Sequence, residues 1–232
     1  MILDRTVTLV IPAHNEQEGL PCVLRAVPDC VDEVVVVDNC STDNTAQVAR
    51  GFGCTVVYQP EKGYGSAYMA GFAAVRTDLV TTADADGTYP VNLIPDLARV
   101  LLSDDLHFIS ARRRPDDHAG TLNSTLRFAG NFVLSAATIV LFQRTILDSQ
   151  SGMWVFRRDI LDSINLTSRG MALSEEFKIK AWTAPGLRCR EVNIPFSYSE
   201  RMGKPKLNLW RDGVRNLLFL FALRFGIPMT RA

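Results

Sequence analysis

Residues 33–50 read EVVVVDNCSTDNTAQVAR. The unbroken run of β-branched valines is a strand buried on both faces. It stops at Asp38, and a short polar stretch leads into a helical segment that Ser41 or Asp43 can cap. An all-apolar strand, a polar loop and a helix make up the repeating unit of a parallel sheet covered by helices on both sides. The unit recurs along the chain. Residues 6–11 (TVTLVI) form a strand closed by Pro12, with Asn15 placed to cap a helix over 18–27. Residues 54–58 form a third strand, followed by the glycine-punctuated KGYGSAYMAGFAAV, a loop entering a helix. Residues 78–82 form a fourth. The expected fold class is α/β, a mostly parallel Rossmann-like sheet in one domain.

In such sheets ligands bind beyond the carboxyl ends of the strands. Residues 12–16 (with Pro12, Ala13 and Glu16 as the candidates), then Asp38 and Asn39, then 62–65 (with Lys62 and Gly63), and finally 84–86 (with Asp84 and Asp86) fall along that one edge. Asp84 and Asp86 lie in TTADADGTYP (81–90), spaced i and i+2 at a strand end. In an extended chain they share a face. Two carboxylates so placed suit one hard divalent cation, Mg²⁺ or Mn²⁺, held jointly with substrate phosphates. Taken singly, Glu16 can also be a first-turn helix acid and Asp38 a loop cap. No GxGxxG follows the first strand, which argues against a nicotinamide or flavin site.

The 232 residues suffice for one sizeable domain, and the formal net charge of zero gives no electrostatic footprint for nucleic acid. Five cysteines without a CxxC pair argue for reduced thiols and against a zinc site. Asp4 and Arg5 precede the first apolar run, unlike a signal peptide. No stretch has the ~20 apolar residues of a spanning helix.

In the second half, a helix over 93–103 and a strand over 107–111 lead to Arg112, Arg113 and Arg114, a solvated patch or a phosphate clamp. Arg127 and Asn131 share a face of a long helix over 122–143. That helix suits either the core or a membrane interface. MWVF reads as a strand, Ser174 as the cap of a helix over 175–182, and 192–196 as a last strand. A basic loop, RMGKPK, carries Arg201 and Lys206, and it precedes an amphipathic helix over 207–225 with an apolar end.

IPAHNE, VVDNCSTDNT, GYGSAYMAG and DADGTYP, in this order, resemble the inverting family 2 glycosyltransferases of the GT-A fold. SARRR, the arginine-bearing helix, DSQSGMWVF, SEEFKIKA and YSERMGKPKL resemble the polyprenyl- and dolichyl-phosphate sugar synthases within that family. The second motif departs from the family's DDGSxDxT at Asn39 and Cys40, and Pro205 stands where members often have Ser. The resemblance implies transfer of a hexose from a nucleotide-sugar donor (GDP-mannose, UDP-glucose or another UDP-hexose) to a polyprenyl phosphate. Pro12, Ala13, Glu16, Asp38, Lys62, Gly63, Asp84 and Asp86 would then bind the donor, with Mg²⁺ or Mn²⁺ on Asp84 and Asp86. Arg112, Arg127 and Asn131 would meet the acceptor phosphate, and Arg201 and Lys206 would close over the phosphates. Residues 1–200 would be the GT-A domain, with a donor half (1–92) and an acceptor half (93–200), and 201–232 a membrane-proximal loop and helix. The expected setting is peripheral, on the cytoplasmic face of a membrane, with a membrane-anchoring subunit or a second copy as partner. Two other readings stand beside this one. A hydroxyl acceptor would need a carboxylate base, Asp148, Glu175 or Glu176. A non-catalytic subunit would keep the fold alone.

Overall fold

The computed structural model describes residues 1–114, 122–196 and 209–227, with backbone only for 122–127 and 209–210. The chain runs β1 (Val7–Ala13), α1 (Leu20–Arg25), β2 (Glu33–Asp38), α2 (Thr45–Gly51), β3 (Thr55–Tyr58), α3 (Tyr64–Ala74) and β4 (Leu79–Thr82). It continues through α4 (Ile94–Ser103), β5 (Phe108–Arg113), α5 (Leu122–Phe142), β6 (Trp154–Arg157), α6 (Ile160–Ser163), α7 (Leu173–Thr183), β7 (Cys189–Ile194) and α8 (Leu209–Phe225). The strands form one sheet in the order β3-β2-β1-β4-β6-β5-β7. Among the described strands, β6 alone runs antiparallel to its neighbours, β4 and β5.

The sheet is apolar on both faces because both are covered. Leu9 and Ile11 of β1 pack with Leu20 of α1 and with Leu97 and Leu101 of α4 on one side. The alternate residue Val10 packs with Tyr68 and Phe72 of α3 and Phe177 of α7 on the other. A third cluster joins α5, α7 and α8 through Leu134, Ile146, Ile179 and Leu220. Strand order reverses between β1 and β4, so the crevice outside their carboxyl ends is the expected ligand position. Register brings Ala13 beside Asp38 and Asp38 beside Tyr58, which fixes three of the polar loops in one row.

Four local expectations fail. Neither Ser41 nor Asp43 is the cap of α2, which starts at Thr45 behind Asn44 with no side-chain cap. Asn15 does not cap α1, which starts at Leu20 with no side-chain cap. Asn15 instead has φ 53°, and its Oδ1 accepts the Thr42 N–H at 2.7 Å across the loops. Ser174 is not a cap either, because α7 already begins at Leu173 and Ser174 lies buried within it. The strand geometry assumed for Asp84 and Asp86 ends at Thr82. Asp86 sits in a turn, which Gly87 completes at φ 81°, a region open to glycine at no steric cost.

Candidate active site

The IPAHNE loop after β1 and the DNCSTDNT loop after β2 are laced together. Asn15 N donates to Ser41 Oγ at 3.0 Å, Glu16 N to Thr45 Oγ1 at 2.8 Å, and Gln17 N to Asp43 Oδ2 at 3.2 Å. Asp38 is buried and accepts the Ser41 N–H at 3.0 Å, which turns its own loop.

Asn39 explains the departure from the DDGS pattern. Its Nδ2 donates to the carbonyls of Gln59 (3.0 Å) and Glu61 (2.8 Å), and its Oδ1 accepts the Gly63 N–H at 2.7 Å. A carboxylate has no donor and could make only the last of these. Asn39 therefore pins the Lys62–Gly63 segment at the start of α3, a role the sequence alone did not disclose.

Across from that segment runs the stretch 167–172. A Cβ on Gly65 would collide with the carbonyl of Ser168, so glycine is required for this close approach. Ser66 N donates to the Arg169 carbonyl at 3.0 Å. Glu176, fully buried in α7, holds the stretch by accepting Thr167 N at 3.0 Å, Thr167 Oγ1 at 2.7 Å and Ser168 N at 2.7 Å.

Between these walls lies a cavity of about 920 Å³. Pro12, Ala13, Glu16 and Asn39 line it from the first two loops, Lys62, Gly63 and Tyr64 from the third, and Asp84 and Asp86 from the fourth. Asp86 is 4% exposed, and its Oδ1 accepts the Thr88 N–H (3.1 Å) and hydroxyl (2.7 Å). Asp84 lies close to Tyr64, and burial together with the Asp84 charge pushes that phenol well above its ordinary pKa. Among the described residues no group of three or more His, Cys, Asp or Glu could hold a metal ion by itself. Two carboxylates fit a hard cation whose remaining positions are filled by phosphate oxygens and water.

α8 closes the cavity with Asp212, Arg215 and Asn216, then Phe219 and Leu223, none of which the motifs had marked. Asp38 does not line the cavity; its neighbour Asn39 does.

Of the acceptor-side candidates whose side chains are described, neither Arg112 nor Asn131 is among the residues lining the cavity. Arg113, not Arg112, is the arginine bound to Asp148, through backbone N (3.0 Å), Nε (2.8 Å) and Nη2 (2.7 Å). The guanidinium also lies 5.3 Å from the Phe196 ring centre. Burial acts to raise the Asp148 carboxyl, but the charge and bonds of Arg113 outweigh it and hold it well below the usual carboxylate range. Asn131 gives its amide to the same cluster, donating to Asp148 Oδ1 at 3.0 Å and accepting Gln150 N–H at 3.3 Å. Lys178 Nζ donates to the Asp148 carbonyl at 2.7 Å. Arg112 is half-buried in β5 and does not line the cavity. Arg127 is placed only by its backbone in α5, and Arg201 and Lys206 lie outside the described residues.

Glu175 is fully buried and accepts Gln150 Nε2 at 2.6 Å, while its Oε2 has no hydrogen-bond partner among the described residues. Burial, only partly offset by Lys178, pushes its carboxyl well up. In the unfolded chain it ionises near pH ~4.3. A folded pKa above the unfolded one means that stability is lost as pH rises through this window. Between pH 5 and 8 the stability difference should therefore move in favour of Glu175→Gln, as measured by thermal midpoints of the two proteins.

The profile of glycosyl transferase family 2 matches residues 8–164. The low-salt glycan biosynthesis hexosyltransferase Agl6 of Haloferax volcanii is 30% identical over 221 residues, 93% of this chain. The chain spans about half of that relative's length, 53%. A dolichyl-phosphate hexose transferase of the same organism is 32% identical over 209 residues, 88% of each chain. Among solved structures, Mycobacterium tuberculosis glucosyl-3-phosphoglycerate synthase with Mn²⁺, UDP-glucose and phosphoglyceric acid superposes with a TM-score of 0.75 at 25% identity, covering 98% of this chain and 82% of that one. The expected GT-A-like α/β architecture is the one observed, and the chain belongs to glycosyl transferase family 2.

Proposed function

We propose that the protein transfers a hexose from a nucleoside diphosphate sugar to the phosphate of a polyprenyl-type lipid. The observation that carries this reading is the form of the cavity, with two carboxylates at one wall and the apolar flank of α8 at another. The name of the dolichyl-phosphate hexose transferase relative supports the acceptor. The UDP-glucose and Mn²⁺ in the mycobacterial synthase support the class of donor and a divalent cation. When bound between Asp84, Asp86 and the diphosphate, such a cation would neutralise charge on the leaving group.

The chain's own residues do the positioning. Asn39 and the glycines of α3 set the donor loop against residues 167–172, and Glu16 and Lys62 border the donor. A phosphate monoester is mostly dianionic at pH 7, its second pKa being ~6. Its oxygen attacks the anomeric carbon, the bond from that carbon to the diphosphate oxygen breaks with its electron pair, and no proton has to be removed. This agrees with the fate of the three candidate bases: Asp148 is paired with Arg113, Glu176 holds residues 167–168, and Glu175 is buried. In this reading Arg127, Arg201 and Lys206 supply positive charge around the two phosphates. A soluble acceptor is the second reading, favoured by the Asp212 carboxylate on the cavity wall and by the mycobacterial structure. Parallel assays with a polyprenyl phosphate and with 3-phosphoglycerate separate the two; transfer to the soluble acceptor alone would replace the first reading with the second.

A membrane surface is the proposed setting, on its cytoplasmic face. No helix among the described residues is long and apolar enough to cross a bilayer. α5 and α8 pack on each other, yet they leave Phe132 (65%), Leu218 (58%) and Phe221 (44%) exposed. Burying each such side chain in an interface is worth about 2 kcal/mol. Replacing all three by Glu should lower co-sedimentation with anionic vesicles by at least about 100-fold. Unchanged sedimentation would remove these helices as the contact.

A further inference from the structure

We infer that Arg215 of α8 contacts the acceptor phosphate and that Phe219 and Leu223 cover the first part of its lipid chain; this rests on the proposed function. Residues 215, 219 and 223 recur every four positions, so they lie on one flank of α8, and all three line the cavity. The flank is graded. Asp212 and Arg215 stand in its first turns, and Phe219 and Leu223 follow ~6 and ~12 Å beyond Arg215 along the axis at 1.5 Å per residue. A ligand matching that gradient has an anionic head and an apolar tail.

The rotation of the helix is fixed at this point. Asn216 Nδ2 donates to Gln150 Oε1 at 3.0 Å, and Gln150 is in turn bonded to buried Glu175 at 2.6 Å. Arg215 is half-buried and lines the cavity. A guanidinium matches phosphate oxygens in two-pronged geometry and stays charged at any working pH. The donor-side groups Lys62, Asp84 and Asp86 are contributed by the sheet edge, whereas Arg215 shares its wall with the apolar residues. That wall assigns it to the acceptor. Asp212, one turn earlier, also faces the cavity, so the phosphate meets both signs of charge there.

The test is steady-state kinetics on the full chain, with polyprenyl phosphate in vesicles and glycerol 3-phosphate as parallel acceptors. R215Q should raise KM for polyprenyl phosphate by about tenfold or more, with kcat within about threefold and donor KM unchanged. R215K should recover part of the loss. R211Q removes the same charge from an exposed position outside the cavity and should leave KM unchanged. L223N should raise KM for the lipid and leave glycerol 3-phosphate unaffected. Far-UV circular dichroism establishes that each variant is folded. An unchanged acceptor KM in R215Q, a shift in donor KM instead, or an equal effect of R211Q would overturn the assignment. Wild-type protein that glycosylates neither phosphate would remove the proposed function, and this assignment with it. Wild-type transfer with an indifferent R215Q would remove only the assignment.

Discussion

Asp86→Asn protein should retain its fold and lose about 10³-fold in kcat. The substitution separates two jobs of one side chain. The Asp86 Oδ1 that accepts both Thr88 bonds has a counterpart in the asparagine carbonyl, so the turn between β4 and α4 keeps its geometry. The negative charge does not survive. With only Asp84 left, the cavity loses half of the carboxylate pair that fits a hard cation, and in the proposed reaction the diphosphate would leave without that share of neutralisation. Near-wild-type turnover would show that Asp86 serves the turn alone. The check is the rate of nucleoside diphosphate release at saturating donor, alongside the thermal midpoint.

A stability loss of about 3–5 kcal/mol should follow Asp148→Asn. The side chains of Asp148 and Arg113 are 2% and 9% exposed, and the carboxylate takes three bonds from Arg113 and one from Asn131. Removing the charge leaves the guanidinium and the nearby Lys178 ammonium buried without it. At about 2–4 °C per kcal/mol for a chain of this size, the midpoint falls by roughly 10 °C. The pH dependence has a definite sign. The folded pKa lies below the unfolded value of ~3.9, so this stability is present above pH ~4 and is lost as pH falls through the folded pKa. The gap between wild type and variant should therefore be wide at pH 7 and narrow toward pH 2 in denaturant titrations. A constant gap across that range would remove the ion pair as its cause.

Elements and their order were legible because the apolar periods are long and clean. β2 was expected over 33–37 and is found at Glu33–Asp38, and α4 was expected over 93–103 and is found at Ile94–Ser103. Four polar loops were expected on one edge, and each supplies cavity-lining residues. The second loop does so through Asn39 and not through Asp38, which turns inward to bond Ser41 N–H. Past a strand end, side-chain direction depends on turns and partners distant in sequence, and there the reading failed. Asp86 follows a turn rather than a pleat. The pairing of Arg113 with Asp148, 35 residues away, had no mark in the sequence. Glu175 and Glu176 look like first-turn acids favoured by the helix dipole, yet both are wholly buried, one holding residues 167–168 and the other bonded to Gln150. The cavity residues of α8 carry no local mark at all, since only the packing of α8 on α5 and α7 brings them to the site.

The central claim is tested most directly by a donor panel. Purified protein, a polyprenyl phosphate, and Mn²⁺ or Mg²⁺ are incubated with GDP-mannose, UDP-glucose or UDP-N-acetylglucosamine, and the lipid product is read by mass. One donor should yield a hexosyl-phosphoryl lipid, dependent on the cation and lost in Asp86→Asn. Binding of a nucleotide sugar with no lipid product from any of the three would contradict it.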